Sequence, residues 1–253
     1  MTIAIIPVRG GSKRVPRKNV KEFCGHPLMA WSVVAARWSK LIDHVVVSTD
    51  DDEMEEVARK YGADEIIRRP DWPDADEAAG NRPLLHAVNE LAGKYGTSWT
   101  MVTMFATSPQ RLPGDLDGGI QHMRKNGLQN VVGMSRKRET FIYKDQGLYA
   151  QSVIRDKYKQ HFELTSGLVS VTTAGYYRWL QTIVTDDSDK SLNDGLRNTT
   201  KQEQFGYVET RPWQVPETDT PEEFELCELI MEHYVLKGRG IEIYKEYYNE
   251  RTE

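Results

Sequence analysis

The chain predicts an α/β fold with a largely parallel sheet. Apolar runs of strand length alternate with stretches of helical period through its first half, the rhythm of repeated βαβ units. At 253 residues it is long enough to bury one substantial core, so a single domain over 1–253 is expected. No internal repeat, low-complexity segment or linker divides it.

Each element has its own warrant. Residues 3–8 form an unbroken apolar run and therefore a buried strand. Residues 27–40 are helical, with Leu28, Trp31, Ser32 and Ala35 on one face, and 44–48 is a second strand. The acidic run Thr49-Asp50-Asp51-Asp52-Glu53 opens a helix whose Met54, Val57, Ala58 and Tyr61 keep the i, i+3, i+4, i+7 spacing, and Gly62 is placed to end it. The macrodipole accounts for those first-turn acids better than a metal does. A helix over 83–91 leads to a strand at 99–105, then a helix over 113–125 and a strand at 130–134. His86 lies in the first of these helices as a packed histidine.

Between 137 and 165 charges mix with Phe141, Tyr143, Tyr149, Tyr158 and Phe162, and no period emerges. That stretch is either an oligomerisation arm projecting from the sheet or an antiparallel subsheet on the same core. Later strands fall at 168–172 and 205–209, separated by a polar loop at 185–201. Thr220-Pro221-Glu222-Glu223 begins a last helix, with Thr as N-cap, Pro at N1 and Glu at N3. Its inward residues are Phe224, Cys227, Ile230, Met231 and Tyr234.

Charge is distributed unevenly. The net charge is -5, yet six basic side chains and no acid lie between Arg9 and Lys21, which leaves -11 elsewhere. The acidic remainder argues against nucleic-acid or membrane partners, and no apolar stretch approaches the roughly 18 residues of a spanning helix. The N-terminus enters a strand almost at once, without a signal stretch. Two distant cysteines give neither a disulfide framework nor a metal spacing, and the scattered histidines form no zinc site, so a reducing, cytoplasmic setting is expected.

The basic loop directly follows the first strand, and its adjacent Gly10 and Gly11 allow the backbone to approach an anion closely. A polyphosphate is the natural ligand. The Walker and dinucleotide fingerprints are both absent. Backbone N–H groups of Gly10, Gly11 and Ser12 are placed to face phosphates, with Arg9, Lys13 and Lys18 supplying charge and Arg14 and Arg17 partly solvated. Asn19 offers an amide to a ribose hydroxyl or phosphate, or else caps a helix entry. Glu217 and Asp219 are two residues apart, so in extended backbone both carboxylates project to one side as ligands for Mg²⁺. The competing reading is that Asp219 merely prepares the helix at Thr220.

The run Arg9-Gly10-Gly11-Ser12-Lys13-Arg14-x-Pro16-x-Lys18-Asn19 at a strand exit resembles the signature loop of the CMP-sialic acid synthetases, the acylneuraminate cytidylyltransferases. The likeness continues in Phe23-x-Gly25-x-Pro27-Leu28, in Val45 to Asp51, in Arg69-Pro70 followed by Asp76, in Thr107-Ser108-Pro109 and in Glu217 to Glu222. It spans residues 3 to about 225. The resemblance implies a Rossmann-like nucleotidyltransferase: a mostly parallel sheet with helices on both faces, a dimerisation extension near 137–165, and a homodimer. It implies a Mg²⁺-dependent cytidylyltransferase that joins CMP from CTP to an acidic acceptor and releases pyrophosphate. It also implies nucleotide contacts from Arg69, whose alternative is a surface charge at a strand end, and from the backbone near Gly80.

The family's usual Asp is Glu217 here, its Gln-Pro before Thr-Ser-Pro is Phe105-Ala106, and its Asn-Gly near the acceptor is Ser166-Gly167. Its Arg-Gln-Asp/Gln-Leu-Pro stretch is missing. CTP-side motifs are kept while acceptor-side motifs drift, so the acceptor is expected to be a nonulosonic acid or another anion such as a phosphonate. Arg111, Arg136 and Arg138 are extra cations for it near the strand ends. Metal-assisted deprotonation of the acceptor is the expected base chemistry. A non-catalytic nucleotide-binding regulatory module is the alternative outside enzymes.

Overall fold

A computed structural model describes residues 1–70, 72, 81–112, 114–137, 142–144, 147–149, 161–164, 167–183 and 204–239. In chain order the strands and helices are β1 (Thr2–Pro7), β2 (Glu22–Phe23), β3 (His26–Pro27), α1 (Leu28–Trp38), β4 (His44–Thr49), α2 (Asp52–Lys60), β5 (Glu65–Arg68), α3 (Asn81–Tyr95), β6 (Thr100–Thr103) and α4 (Asp115–Asn126). Then come β7 (Asn130–Lys137), β8 (Ile142–Lys144), β9 (Gly147–Tyr149), β10 (His161–Leu164), β11 (Ser170–Thr173), α5 (Ala174–Ile183), β12 (Phe205–Thr210) and α6 (Pro221–Ile230), which continues as a π-helical segment, Met231–Arg239.

The main sheet has eight strands in the order β10-β7-β11-β6-β1-β4-β5, with β12 also paired to β7. β1 is parallel to both β4 and β6, β4 to β5, and β12 to β7. β11 is antiparallel to its neighbours β6 and β7, and β10 is antiparallel to β7. Strand β1 sits centrally because no side chain from Thr2 to Ile6 meets solvent.

Its alternation sends Ala4 and Ile6 to one face and Ile3 and Ile5 to the other. The first face packs on Trp31 of α1, Met54 of α2, Ile120 of α4 and Phe224 of α6. The second packs on Leu84, Val88 and Leu91 of α3 and on Ala174 and Tyr177 of α5. Helices on both faces explain why the strand sequences are continuously apolar.

From β1 the chain moves outward through β4 and β5, then returns to place β6 on the other side of β1. Neighbouring loops diverge at that reversal and open a crevice beyond the C-terminal ends of β1 and β6.

Several expectations change in detail. The helix predicted over 27–40 is buried on every side from Leu28 to Ala36, because α1 is wedged between the sheet and surrounding chain. The helix expected at 83–91 runs from Asn81 to Tyr95. The strand expected at 168–172 is β11, antiparallel within the otherwise parallel centre. Tyr234 is not inward. It is 42% exposed and stacks on Trp213 with centroids 4.8 Å apart.

Within the stretch 137–165, β10 joins the main sheet antiparallel, while β8 and β9 form a two-stranded sheet of their own. The polar loop at 185–201 lies outside the described residues, as do Asp76, Gly80, Arg138 and Ser166. Among the described residues no helix is long and apolar enough to cross a membrane.

Candidate active site

The loop after β1 is shaped by its own side chains. Val15 is 2% exposed and anchors the middle of the loop in the core. Asn19 is nearly buried, and its Nδ2 donates to the Arg9 carbonyl at 3.0 Å, while its own carbonyl accepts from Met29 N. Its amide therefore braces the loop rather than capping a helix.

Gly10 N donates to Asp50 Oδ1 at 3.1 Å, and a Cβ on Gly10 would fall 2.6 Å from Asp51 Oδ2. A side chain at position 10 would have to displace the Asp51 carboxylate of the acidic turn before α2. The three backbone N–H groups expected to face phosphates are placed as follows. Gly10 N is taken by Asp50, Ser12 N donates to Gly10 O, and Gly11 is exposed outside the crevice lining.

The acids at the start of α2 have separate tasks. Asp51 is the N-cap and accepts from Met54 N at 3.1 Å. Arg17, in left-handed backbone at φ 53°, turns its guanidinium away from the crevice to Asp51 and Glu53. Those hydrogen bonds raise its pKa above the ordinary value and, for Asp51, outweigh burial and hold the carboxyl below its own.

The crevice encloses about 770 Å³. Its cations are Arg9, Lys13, Arg14, Lys18, Arg68 and Arg69, its acids Asp50 and Asp219, and its apolar lining includes Pro70, Trp72, Pro83, Phe105 and Ala106. Ser12, Asn19 and Thr107 complete the polar part. Arg69 is braced by Nε on Ser48 Oγ at 3.1 Å and Nη2 on Ser48 O at 2.8 Å. Burial lowers its pKa to about 10, with Asp50 opposing and Arg9 adding to the fall, so the side chain stays charged at neutral pH.

Residues 201 and more apart in sequence close the site. Lys18 Nζ meets Asp219 Oδ1 at 2.9 Å, and Arg14 Nη2 meets Asp219 Oδ2 at 3.2 Å. Burial pushes the Asp219 carboxyl up, but these two cations outweigh it and hold its pKa below the ordinary value.

Glu217 takes a different position. It accepts from Ser108 Oγ at 3.1 Å, does not line the crevice, and has its pKa raised by burial and by Asp219, with Ser108, Lys18 and Arg111 opposing. A Cβ on Gly167 would strike both Ser108 Oγ and Glu217 Oε1, so this glycine in the turn before β11 permits the pair to approach. Thr218 N donates to Thr107 O, and Gln110 and Gln214 exchange side-chain-to-backbone bonds, joining the loop after β6 to the segment before α6.

Two of the cations expected for an acceptor, Arg111 and Arg136, do not line the crevice. Arg111 is fully buried, with Nε on Leu168 O, Nη1 on Ser32 Oγ and Nη2 on Phe105 O and Gly167 O. A guanidinium can satisfy several carbonyls at once, so here it clamps three chain segments. Arg136 pairs with Glu209 at 3.3 Å on the surface. His86 is packed as expected: its ring meets Trp72 edge-on, and its Nδ1 has no hydrogen-bond partner among the described residues.

Sequence reasoning missed Asp50, Arg68, Trp72 and Pro83 as lining residues. The Asp50 signal was present but absorbed by the helix-dipole reading. Trp72 carried no motif at all.

A family model described as "Cytidylyltransferase" matches residues 3–166. Pseudaminic acid cytidylyltransferase of Campylobacter jejuni is 39% identical over 107 residues, 42% of this chain and 46% of that protein. CMP-N,N'-diacetyllegionaminic acid synthase of Legionella pneumophila is 33% identical over 137 residues, 53% of this chain and 57% of that protein. The matches thus span about half the length of these curated relatives. A solved structure of CMP:2-keto-3-deoxy-manno-octonic acid synthetase complexed with CTP has the same fold, with a TM-score of 0.70 at 17% identity, covering 91% of this chain and 98% of that one. The matched model takes in β1 and its basic loop, the acidic turn before α2, Arg69 and the loop after β6, which together build most of the crevice. The chain belongs to the cytidylyltransferase family.

Proposed function

We propose that this protein is a Mg²⁺-dependent cytidylyltransferase that transfers CMP from CTP to an acidic nonulosonic sugar and releases pyrophosphate. The observation that carries the reading is the convergence of Arg9, Lys13, Lys18 and Arg69 with Asp219 on one crevice at the strand-order reversal. Cations in that number match a triphosphate rather than a neutral ligand. The acceptor class is supported by the relatives, whose names include pseudaminic and diacetyllegionaminic acids.

In the reaction an acceptor hydroxyl oxygen forms a bond to the α-phosphorus as the bond to the pyrophosphate oxygen breaks, and the hydroxyl proton is lost. Arg9, Lys13 and Lys18 neutralise charge on the triphosphate and leaving group, and Arg69 binds the nucleotide. Positioning and charge stabilisation carry such a transfer, and no covalent enzyme intermediate is needed.

The residues suit Mg²⁺ in one form only. Among the described residues no group of three acidic, histidine or cysteine side chains gathers as a cage. Asp219 lines the crevice with its carboxyl held ionised, and Mg²⁺ is commonly held by one or two carboxylates plus substrate phosphates. Asp219 would hold the ion, with Glu217 behind it, and the bound metal would withdraw charge from phosphate oxygens.

Cytoplasmic location and a homodimer through the 137–165 extension belong to the same proposal. The buried thiols of Cys24 and Cys227 support the first, and the separate β8–β9 sheet supports the second.

A panel of nucleoside triphosphates against nonulosonic acids, Kdo-like acids and phosphonates, read by pyrophosphate release, tests the reading. CTP with a nonulosonic acid should be productive. Turnover with another triphosphate only, or CTP binding without release across all acceptors, would overturn it.

A further inference from the structure

On the cytidylyltransferase reading, the crevice must hold the two unlike halves of one ligand, a polyanion and a planar base. The basic loop after β1 supplies the first with cations. A second part of the lining comes from the exit of β5 and the start of α3, and there Pro70, Trp72 and Pro83 offer carbon rather than charge.

Trp72 is held from α3 on two sides. The Arg82 guanidinium carbon lies 4.5 Å from the indole centroid, and the His86 and indole rings form a T-shaped pair with centroids 5.8 Å and planes 86° apart. An indole has two faces, and a guanidinium set over one of them anchors the ring without using the other.

We propose that Trp72 is the stacking platform for the cytosine ring of CTP, with Arg82 and His86 fixing its orientation. The assignment rests on the cytidylyltransferase reading and adds to it a residue that lies between the sequence motifs and belongs to none of them. A flat, electron-poor base gains full contact on an indole, and such stacking tolerates any base identity, leaving selection to hydrogen bonds elsewhere. An acidic acceptor is a poorer occupant, because the electron-rich face of the ring disfavours a carboxylate.

Isothermal titration of wild type, Trp72→Phe and Trp72→Ala with CTP and, separately, with inorganic tripolyphosphate tests this, with Mg²⁺ present and folding checked by circular dichroism. Trp72→Ala should weaken CTP about 10- to 100-fold and leave tripolyphosphate unchanged, while Trp72→Phe recovers most of the loss. Unchanged CTP affinity in a folded Trp72→Ala would overturn the stacking role alone. Equal loss for both ligands, or a raised acceptor KM with CTP binding intact, would overturn it too. A wild-type chain that binds no CTP would remove the cytidylyltransferase reading and this assignment with it.

Discussion

Lys18 and Asp219 show how a single contact defines the site. Lys18 is 11% exposed and Asp219 36%, and their ion pair brings the N-terminal loop against the segment before α6. Lys13 lines the same crevice beside them. Lys13→Ala should lower turnover about 100-fold or more while leaving the unfolding transition in place, measured by steady-state kinetics and chemical denaturation. The pH dependence of stability follows from Asp219. Its folded pKa is depressed by Lys18 and Arg14 against the effect of burial, so its contribution is complete above the unfolded value near 3.9 and disappears as pH falls through the lower folded value. Urea midpoints measured from pH 6 down to pH 3 should therefore fall more for wild type than for Asp219→Asn. A parallel decline in the two proteins would contradict that linkage. The basic residues of this loop were legible in the sequence because six cations and no acid between Arg9 and Lys21 stand out by composition alone. Their partners were not, because an ion pair between positions 18 and 219 leaves no local trace.

α6 illustrates the same division among elements. Its Thr220 Oγ accepts from Glu223 N at 3.2 Å and Glu223 Oε2 accepts from Thr220 N at 2.9 Å, the reciprocal capping predicted from four consecutive residues. The cap also sets the entry angle of the chain carrying Asp219. Thr220→Ala should cost about 1 kcal/mol of stability and lower turnover as well, with Thr220→Ser restoring both. Thermal unfolding paired with kinetics would check this, and a stability loss with full activity would separate the cap from the site. Helix caps, periods and the first strands were readable because they depend on neighbours within a turn or two. The reversed direction of β11 and the all-round burial of α1 depend on which strands lie alongside. Apolar content alone is the same for a strand of either direction.

Arg111 acts on the whole molecule. One guanidinium joins Ser32 of α1, the carbonyl of Phe105 after β6 and the carbonyls of Gly167 and Leu168 before β11. Arg111→Met would keep the volume but take the guanidinium donor from the carbonyls of Gly167 and Leu168, and should destabilise the protein by about 3 kcal/mol or more in urea denaturation. Unaltered stability would show that the clamp is dispensable. From sequence, this arginine was counted among acceptor-binding cations, since its charge was visible and its burial was not. What the sequence determined by itself was the α/β class, most of the strands and helices though not β5 or α5, and the dense basic loop after β1, because each is written in the period, composition or turn chemistry of adjacent residues. The tertiary structure alone decided which charges face the crevice, that Glu217 turns to Ser108 while Asp219 turns to Lys18, and that Trp72 joins the lining. Those outcomes follow from where the chain returns after β5, and long-range packing, not local preference, sets that path.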